Sequence, residues 1–365
     1  MGFFFRFSSI LLLLASYYLS QRIKYGLSLK RKPAIITAII IFSLTLVTVT
    51  GRFLRQYETS AFAQWLNFAG YCWAGIFVIA VTVFILNDIL ILCNIAFKIK
   101  RFKFYSTLTA LAAAIILSAA GIINALPAFT AVKQVYFQNP ALPAEKFTIT
   151  LLSDIHINKT VSARTIQNLV NKANSLNSDI IVIAGDFTDT DISNTYKKFA
   201  VDKFSAPYGV FAVMGNHDYS PGFGSFLKVC EMSGITVLQN ESAIIDGRLN
   251  LAGVSDRRAR RTGREGPNLE KALANVQEGL PVVLLSHQPE IFDEAAGKIF
   301  LQLSGHTHAG QTIPGNIIRK LFFKYFCGLY AENGSYLYIS AGTRYWGPPL
   351  RLFSRNEIVQ IIIEK

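Results

Sequence analysis

Five histidines occur in the 365 residues, and each lies in a short polar cluster that ends an apolar run. Thr148 to Leu152 runs into Ser153-Asp154-Ile155-His156, and Ile180 to Ala184 runs into Gly185-Asp186-Phe187-Thr188-Asp189. Phe211 to Met214 precedes Gly215-Asn216-His217-Asp218; Val282 to Leu285 precedes Ser286-His287-Gln288-Pro289; Phe300 to Leu303 precedes Ser304-Gly305-His306-Thr307-His308. One histidine in such a place is ordinarily a satisfied core residue, but core packing does not explain why none lies elsewhere. With Asp154, Asp186 and Asn216 they form a mixed imidazole, carboxylate and amide set, the donor chemistry that suits first-row divalent metals. If the strand continues through Asp154-x-His156, residues two apart share a face and aim at one ion, and the same holds for His306 and His308.

The elements that must carry these clusters are short apolar strands alternating with helix-like stretches from Phe147 onward, the pattern of a layered α/β domain. The chain before it is different. Up to Thr130 there are 12 Lys and Arg against Glu58 and Asp88 alone, whereas the rest holds 24 basic and 21 acidic residues. Most of the net charge of +13 therefore lies beside apolar runs. That placement indicates membrane topology and argues against a nucleic-acid surface, which would interleave basic and aromatic residues on one folded face. The expected division is a transmembrane region over 1–130 with about four helices and a catalytic-type domain over 131–365. Cys72, Cys93, Cys230 and Cys327 have no CxxC or zinc spacing and read as packed thiols, with a single Cys230–Cys327 bridge left open.

Four segments are long enough to cross a bilayer, at Phe3 to Leu19, Ala34 to Gly51, Leu66 to Phe97 and Tyr105 to Leu126. The first has no convincing cleavage site and reads as a retained anchor. The third exceeds what a bilayer needs and carries Asn87 and Asp88; an acid without a charged partner in the other spans reads as a structural hydrogen-bonding group between helices, with transport as the alternative. Arg22, Lys24, Lys30, Arg31 and Lys32 follow the first span, and Lys98, Lys100, Arg101 and Lys103 the third; Arg52, Arg55 and Glu58 follow the second. The positive-inside rule then puts the first and third loops in the cytoplasm and the chain after Leu126 outside.

The series Asp154-x-His156, Gly185-Asp186, Gly215-Asn216-His217-Asp218, His287 and Gly305-His306-x-His308 resembles the calcineurin-like metallophosphoesterases. Gly310-Gln311 and Ser340-Ala341-Gly342-Thr343 make it most similar to the bacterial membrane-associated branch. The resemblance covers Ala131 onward and implies a four-layer fold, a double β-sandwich flanked by helices, here preceded by an all-α transmembrane bundle. It also implies that Asp154, His156 and His308 hold one metal, that Asn216, His287 and His306 hold another, and that Asp186 bridges them. His217 would stand beside the scissile group, with Asp218 orienting its ring. Two ions about 3.5 to 4 Å apart would lower the pKa of a shared water and clamp the phosphate oxygens. Manganese is the first candidate, with iron, zinc or magnesium as the others.

Asp189 reads either as a partner to the metal loop or as the cap of the following turn. Arg257, Arg258, Arg260 and Arg261 read as a solvated loop or as a clamp on an anionic substrate or lipid headgroup. Arg319-Lys320-Leu321-Phe322-Phe323-Lys324-Tyr325-Phe326 reads as core or as a membrane-facing lip. The expected protein is thus a multi-pass cell-membrane phosphoesterase with an extracytoplasmic domain, membrane lipids as partners and a phosphomonoester or phosphodiester substrate, lipid-linked if both sharper readings hold. A nucleotide phosphodiesterase or pyrophosphatase, and a non-catalytic sensor, scaffold or transporter on the same fold, are the competing functions.

Overall fold

The structure is a computed structural model that describes residues 2–54, 60–97 and 99–365. The charges Arg55, Glu58 and Lys98 counted above lie outside the described residues. The chain divides into two compact units. The first is Met1–Asn124 with Thr312–Ile317 and Gly347–Phe353; the second is Ala125–Gln311, Ile318–Trp346 and Ser354–Lys365.

Among the described residues four α-helices build the first unit: α1 (Gly2–Gly26), α2 (Arg31–Leu54), α3 (Ala61–Phe97) and α4 (Phe102–Ala125). Among the described residues three stretches are long and apolar enough to cross a membrane, Arg31–Leu54, Ala61–Ile95 and Phe102–Ala125. Their burial is inverted relative to a water-soluble bundle. Ser16, Thr45, Thr48, Asn67, Asn87, Thr107 and Ser118 are buried, while Ile36, Ile39, Leu46, Leu92, Ile95 and Ile115 are exposed. Small and hydroxylated residues let the backbones approach, as between membrane helices. A Cβ on Gly51 would lie 2.9 Å from Asn67 Cα, and one on Gly70 2.9 Å from Thr48 Cα. Thr48 donates to Gly70 O at 3.0 Å, and Thr45 Oγ1 accepts from Trp73 Nε1 at 3.2 Å while pairing with Ser16 Oγ at 2.8 Å.

Asp88 is not alone. Arg22 Nε of α1 lies 2.8 Å from its Oδ2, and Tyr18 donates to the same oxygen at 2.7 Å. The pair sits one helical turn apart on α1, so the helix reaches across with both a charge and a hydroxyl. This corrects the expectation of an unpaired acid and supports its structural role. All four cysteines are free, which closes the Cys230–Cys327 alternative.

The second unit holds two six-stranded sheets. In the first the order is β1 (Ala131–Gln138), β12 (Glu357–Glu364), β2 (Lys146–Leu152), β3 (Ile180–Ala184), β4 (Val210–Val213), β5 (Ile235–Val237). In the second it is β10 (Gly328–Glu332), β11 (Ser335–Ile339), β9 (Leu301–Ser304), β8 (Val282–Leu285), β7 (Leu249–Gly253), β6 (Glu241–Ile245). Side chains alternating along β2 and β3, including Ile149, Leu151, Ile180 and Val182, meet Leu251, Val283, Leu285 and Leu303 between the sheets. Leu152, Ile181 and Ile183 face outward onto α5 (Ala163–Asn174) and α6 (Phe223–Met232). Ala252 and Leu284 face α7 (Leu269–Leu273) and α8 (Phe292–Ala295) on the other side. A strand covered on both faces has no reason to alternate with polar residues, so Ile180-Ile181-Val182-Ile183-Ala184 is apolar throughout. Helix α5 starts where Ser162 accepts from Thr165 N, and it buries Ile166, Leu169, Val170 and Ala173 along one stripe. The result is the four-layer α/β arrangement expected above. Strands β2, β3 and β4 run parallel, as do β8 and β9, so their C-terminal ends carry the polar clusters to one end of each sheet.

Candidate metal centre

The ligand-type residues sit just past those strand ends, in backbone that has left the extended state. Asp154, His156, Asp186, His306 and His308 all have positive φ, from 48° to 72°. Convergence of Asp154 with His156 is thus produced by left-handed turns rather than by the pleat expected above, and His306 and His308, expected to aim at one ion, turn to different groups, His308 to Asp154 and His156 and His306 to Asp186 and His287. Such backbone costs about 1–3 kcal/mol per residue and persists where surrounding structure over-determines it. Part of that surrounding is glycine without room for a Cβ. On Gly215 a Cβ would run into Asp186 N and Oδ1, and on Gly305 into Asp154 Oδ2.

All five histidines come together. Asp154, His156 and His308 each present a donor atom within 4.8 Å of one another, and so do Asp186, His287 and His306. His308 Nε2 lies 3.3 Å from Asp154 Oδ1 and 3.2 Å from His156 Nε2. His287 Nε2 lies 3.2 Å from both His306 Nδ1 and Asp186 Oδ2. The same Asp186 oxygen is 3.7 Å from His156 Nε2, so one carboxylate stands between the two groups.

Second partners fix which ring nitrogen is free. His287 Nδ1 is 2.9 Å from Ala184 O, an acceptor only, so Nδ1 carries the hydrogen and the Nε2 lone pair faces His306 and Asp186. His156 Nδ1 likewise donates to Asp189 Oδ1 at 2.8 Å, turning its Nε2 lone pair toward His308. Asn216 Oδ1 is buried with no hydrogen-bond partner. Lone pairs aimed at one another and an orphaned carbonyl oxygen are costly without a cation among them and satisfied with one. The residues therefore fit divalent metal on donor type, tautomer and convergence.

The buried acids demand positive charge at the cluster, which either a proton on His287 Nε2 or a metal ion can supply. Burial opposes the Asp186 carboxylate, yet His287 and His156 hold it well below the usual range. Burial also opposes charge on His287, but Asp186 and Asp154 raise its proton affinity well above the ordinary value. Burial and the neighbouring His287 push His306 down to about 4, keeping that ring neutral and able to ligate at pH 7.

His217 is 22% exposed, the rim member of the set. The carboxylate against it is Asp189, whose Oδ1 is 3.0 Å from His217 Nδ1. Asp218 does not orient the ring as expected. Its two oxygens accept from Thr188 N and Gly215 N, each at 2.8 Å, which tie the β3 and β4 loops together. Burial and the charge of Asp186 push the Asp218 carboxyl up to about 8. Burial works against the charged form of His217, but Asp189 and Asp186 outweigh it and raise its pKa. For Asp189 the structure decides between the readings left open: it is a shared acceptor for two imidazoles. Trp346 packs edge-on to His217 at 5.5 Å between ring centroids, held by Gln311, which donates to Trp346 O and accepts from Trp346 N, both at 2.9 Å.

Arg344 is a site residue that the motif reading missed. Buried, it donates through Nη1 to Ile155 O at 2.9 Å and His156 O at 3.1 Å, while Thr343 Oγ1 accepts from Ser153 N at 3.1 Å. The run Ser340 to Arg344 thus clasps the Asp154 loop. One basic residue after Gly342-Thr343 carries no signal until its carbonyl partners are known. Arg257, Arg258, Arg260 and Arg261 lie in a 3-10 turn capped by Asp256, which accepts from Arg258 N at 2.7 Å. Asp256 is buried within electrostatic reach of His287 and Asp186, so the exposed arginines begin at the edge of the cluster.

A family model described as calcineurin-like phosphoesterase matches residues 147–310, which span all five histidine-bearing loops. A zebrafish (Danio rerio) protein named "Transmembrane protein with metallophosphoesterase domain" is 30% identical over 99% of this chain and 89% of its own length. The chain belongs to the calcineurin-like phosphoesterase family. Two bacterial relatives carry the phosphoesterase part: an uncharacterised metallophosphoesterase of Helicobacter pylori, 34% identical over 60% of each chain, and one of Aquifex aeolicus, 32% identical over 65% of this chain and 92% of its own. The zebrafish alignment takes in the apolar helices as well.

Proposed function

We propose that the protein is a multi-pass membrane phosphoesterase that hydrolyses phosphomonoester or phosphodiester bonds with two divalent metals. The observation that carries this reading is Asp186 Oδ2, which stands 3.2 Å from His287 within its own donor group and 3.7 Å from His156 of the other. Asp154, His156 and His308 would hold one ion; Asn216, His287 and His306 the other; Asp186 would serve both. Bound there, two divalent ions supply Lewis acidity and a water acidic enough to act near neutral pH. Asp189 keeps His217 Nδ1 occupied and favours the charged ring, which leaves Nε2 to pass a proton to the leaving oxygen. Asp218 and Arg344 hold the loops and touch no substrate.

Manganese is the first candidate metal on donor chemistry. The domain faces the extracytoplasmic side on the loop-charge argument, and membrane lipids are its neighbours. The arginines Arg257, Arg258, Arg260 and Arg261 would receive the anionic group of a lipid-linked or envelope phosphate ester at the edge of the cluster. The test uses the full chain in detergent, stripped of metal and resupplied with manganese, on bis-p-nitrophenyl phosphate and p-nitrophenyl phosphate. Manganese-dependent turnover that Asp186→Asn abolishes is expected; metal-independent turnover, or turnover that survives the substitution, overturns the reading.

A further inference from the structure

Helix α9 (Gly315–Phe322) follows the His306/His308 loop and is amphipathic with its faces reversed. Ile317, Ile318, Leu321 and Phe322 fall on one stripe and are 56%, 48%, 73% and 80% exposed. Arg319, on the opposite side, turns inward and donates to Thr307 O at 3.3 Å, between the two ligand-type histidines. A water-facing helix would do the reverse, and an exposed apolar stripe of this kind marks a contact surface. Lys320 flanks it, exposed, as does Lys324, which is paired with Asp293 and Glu332. Apolar residues edged by cations are the composition of helices that lie in the interface of an anionic membrane. The chain leading into α9 is itself of membrane character: Ile313 packs with Ile79 of α3, Leu350 and Leu352, and Thr312–Ile317 belongs to the helical unit.

We infer that α9 is an interfacial helix whose Ile317, Ile318, Leu321 and Phe322 insert into the lipid of the bilayer crossed by α2 to α4, beside the entrance to the metal loops. The inference rests on the membrane part of the proposed function and adds a route for its substrate: a phosphate ester in the headgroup layer arrives at the Arg319 side of the helix without leaving the membrane. Arg319 acts by holding the Thr307 carbonyl and is a positioning residue.

The test is made on the full chain reconstituted in phosphatidylcholine/phosphatidylglycerol vesicles. Phe322→Trp adds one fluorophore to the native Trp65, Trp73 and Trp346, and its signal is read as the difference from wild type. The added emission is expected to be quenched by lipids brominated near the top of the acyl chains and shielded from iodide. Quenching by iodide without quenching by brominated lipid overturns the inference, and so does shielding from both, which would place a protein surface there. A Leu321→Ser/Phe322→Ser variant is expected to turn over soluble bis-p-nitrophenyl phosphate like wild type and a vesicle-borne phosphate ester at least about tenfold more slowly, since about two core-sized side chains leave the lipid. If wild type hydrolyses neither substrate while the tryptophan is quenched by brominated lipid, the phosphoesterase reading fails and the interfacial helix stands.

Discussion

Gly215→Ala isolates position from chemistry, because it alters no charge, ligand or titrating group. The residue is not in the left-handed region, so alanine meets no backbone strain there; the obstacle is space. The new Cβ would lie 2.8 Å from Asp186 Cγ, whereas carbon atoms rest about 3.5–4.0 Å apart. Asp186 must therefore retreat by roughly 1 Å, out of its place between His287 and His156. A displacement of about 1 Å at a reacting centre costs on the order of 100-fold in rate, about 2.7 kcal/mol of barrier. The assay is kcat on bis-p-nitrophenyl phosphate at saturating manganese, with the melting temperature followed in parallel. Gly224→Ala is the control, since a Cβ there meets nothing within 4 Å. Near-wild-type turnover by a folded Gly215→Ala protein would refute the claim that the place of Asp186 governs activity.

Asp189→Asn removes the charge that raises His217, so the His217 pKa falls and the alkaline limb of kcat/KM moves to lower pH; a limb that stays put assigns it to another group. Arg344→Lys withdraws Nη1 from Ile155 O and His156 O, and manganese affinity by calorimetry is expected to fall about 10- to 100-fold with the fold retained. Asp88→Asn keeps an acceptor for Tyr18 but leaves Arg22 without its counter-charge; melting is expected to drop by a few degrees with diester turnover unchanged, and a loss of turnover would revive a direct role for the acid.

The strands and the five histidines were legible because each apolar run stops at a polar cluster, and a strand buried on both faces leaves a continuous apolar record. Asp186 as the shared carboxylate came from the resemblance; in the structure its Oδ2 lies 3.2 Å from His287 and 3.7 Å from His156. The left-handed backbone at Asp154, His156, Asp186, His306 and His308 was not legible, since none is glycine and the constraint comes from Gly215, Gly305 and the Ser340 to Arg344 clasp, distant in the chain. Proximity in sequence misled the assignment of Asp218, which is next to His217 yet turned to the backbone, while Asp189 arrives from the neighbouring loop. Arg22 and Asp88 lie on different helices, so no local pattern pairs them. Ile313, Leu350 and Leu352 join the helical unit as scattered apolar residues in loops, with no periodicity to read.

The position of β12 has a consequence for the order of assembly. It lies between β1 and β2, pairing with the first in parallel and the second antiparallel, although every other strand precedes it in the chain. During synthesis the first sheet keeps a gap at its second place, with the open edges of β1 and β2 exposed, until the last strand emerges. By then α1 to α4 have long left the ribosome. The phosphoesterase-family half thus closes only after the apolar helices have been made, with its unpaired edges open until then.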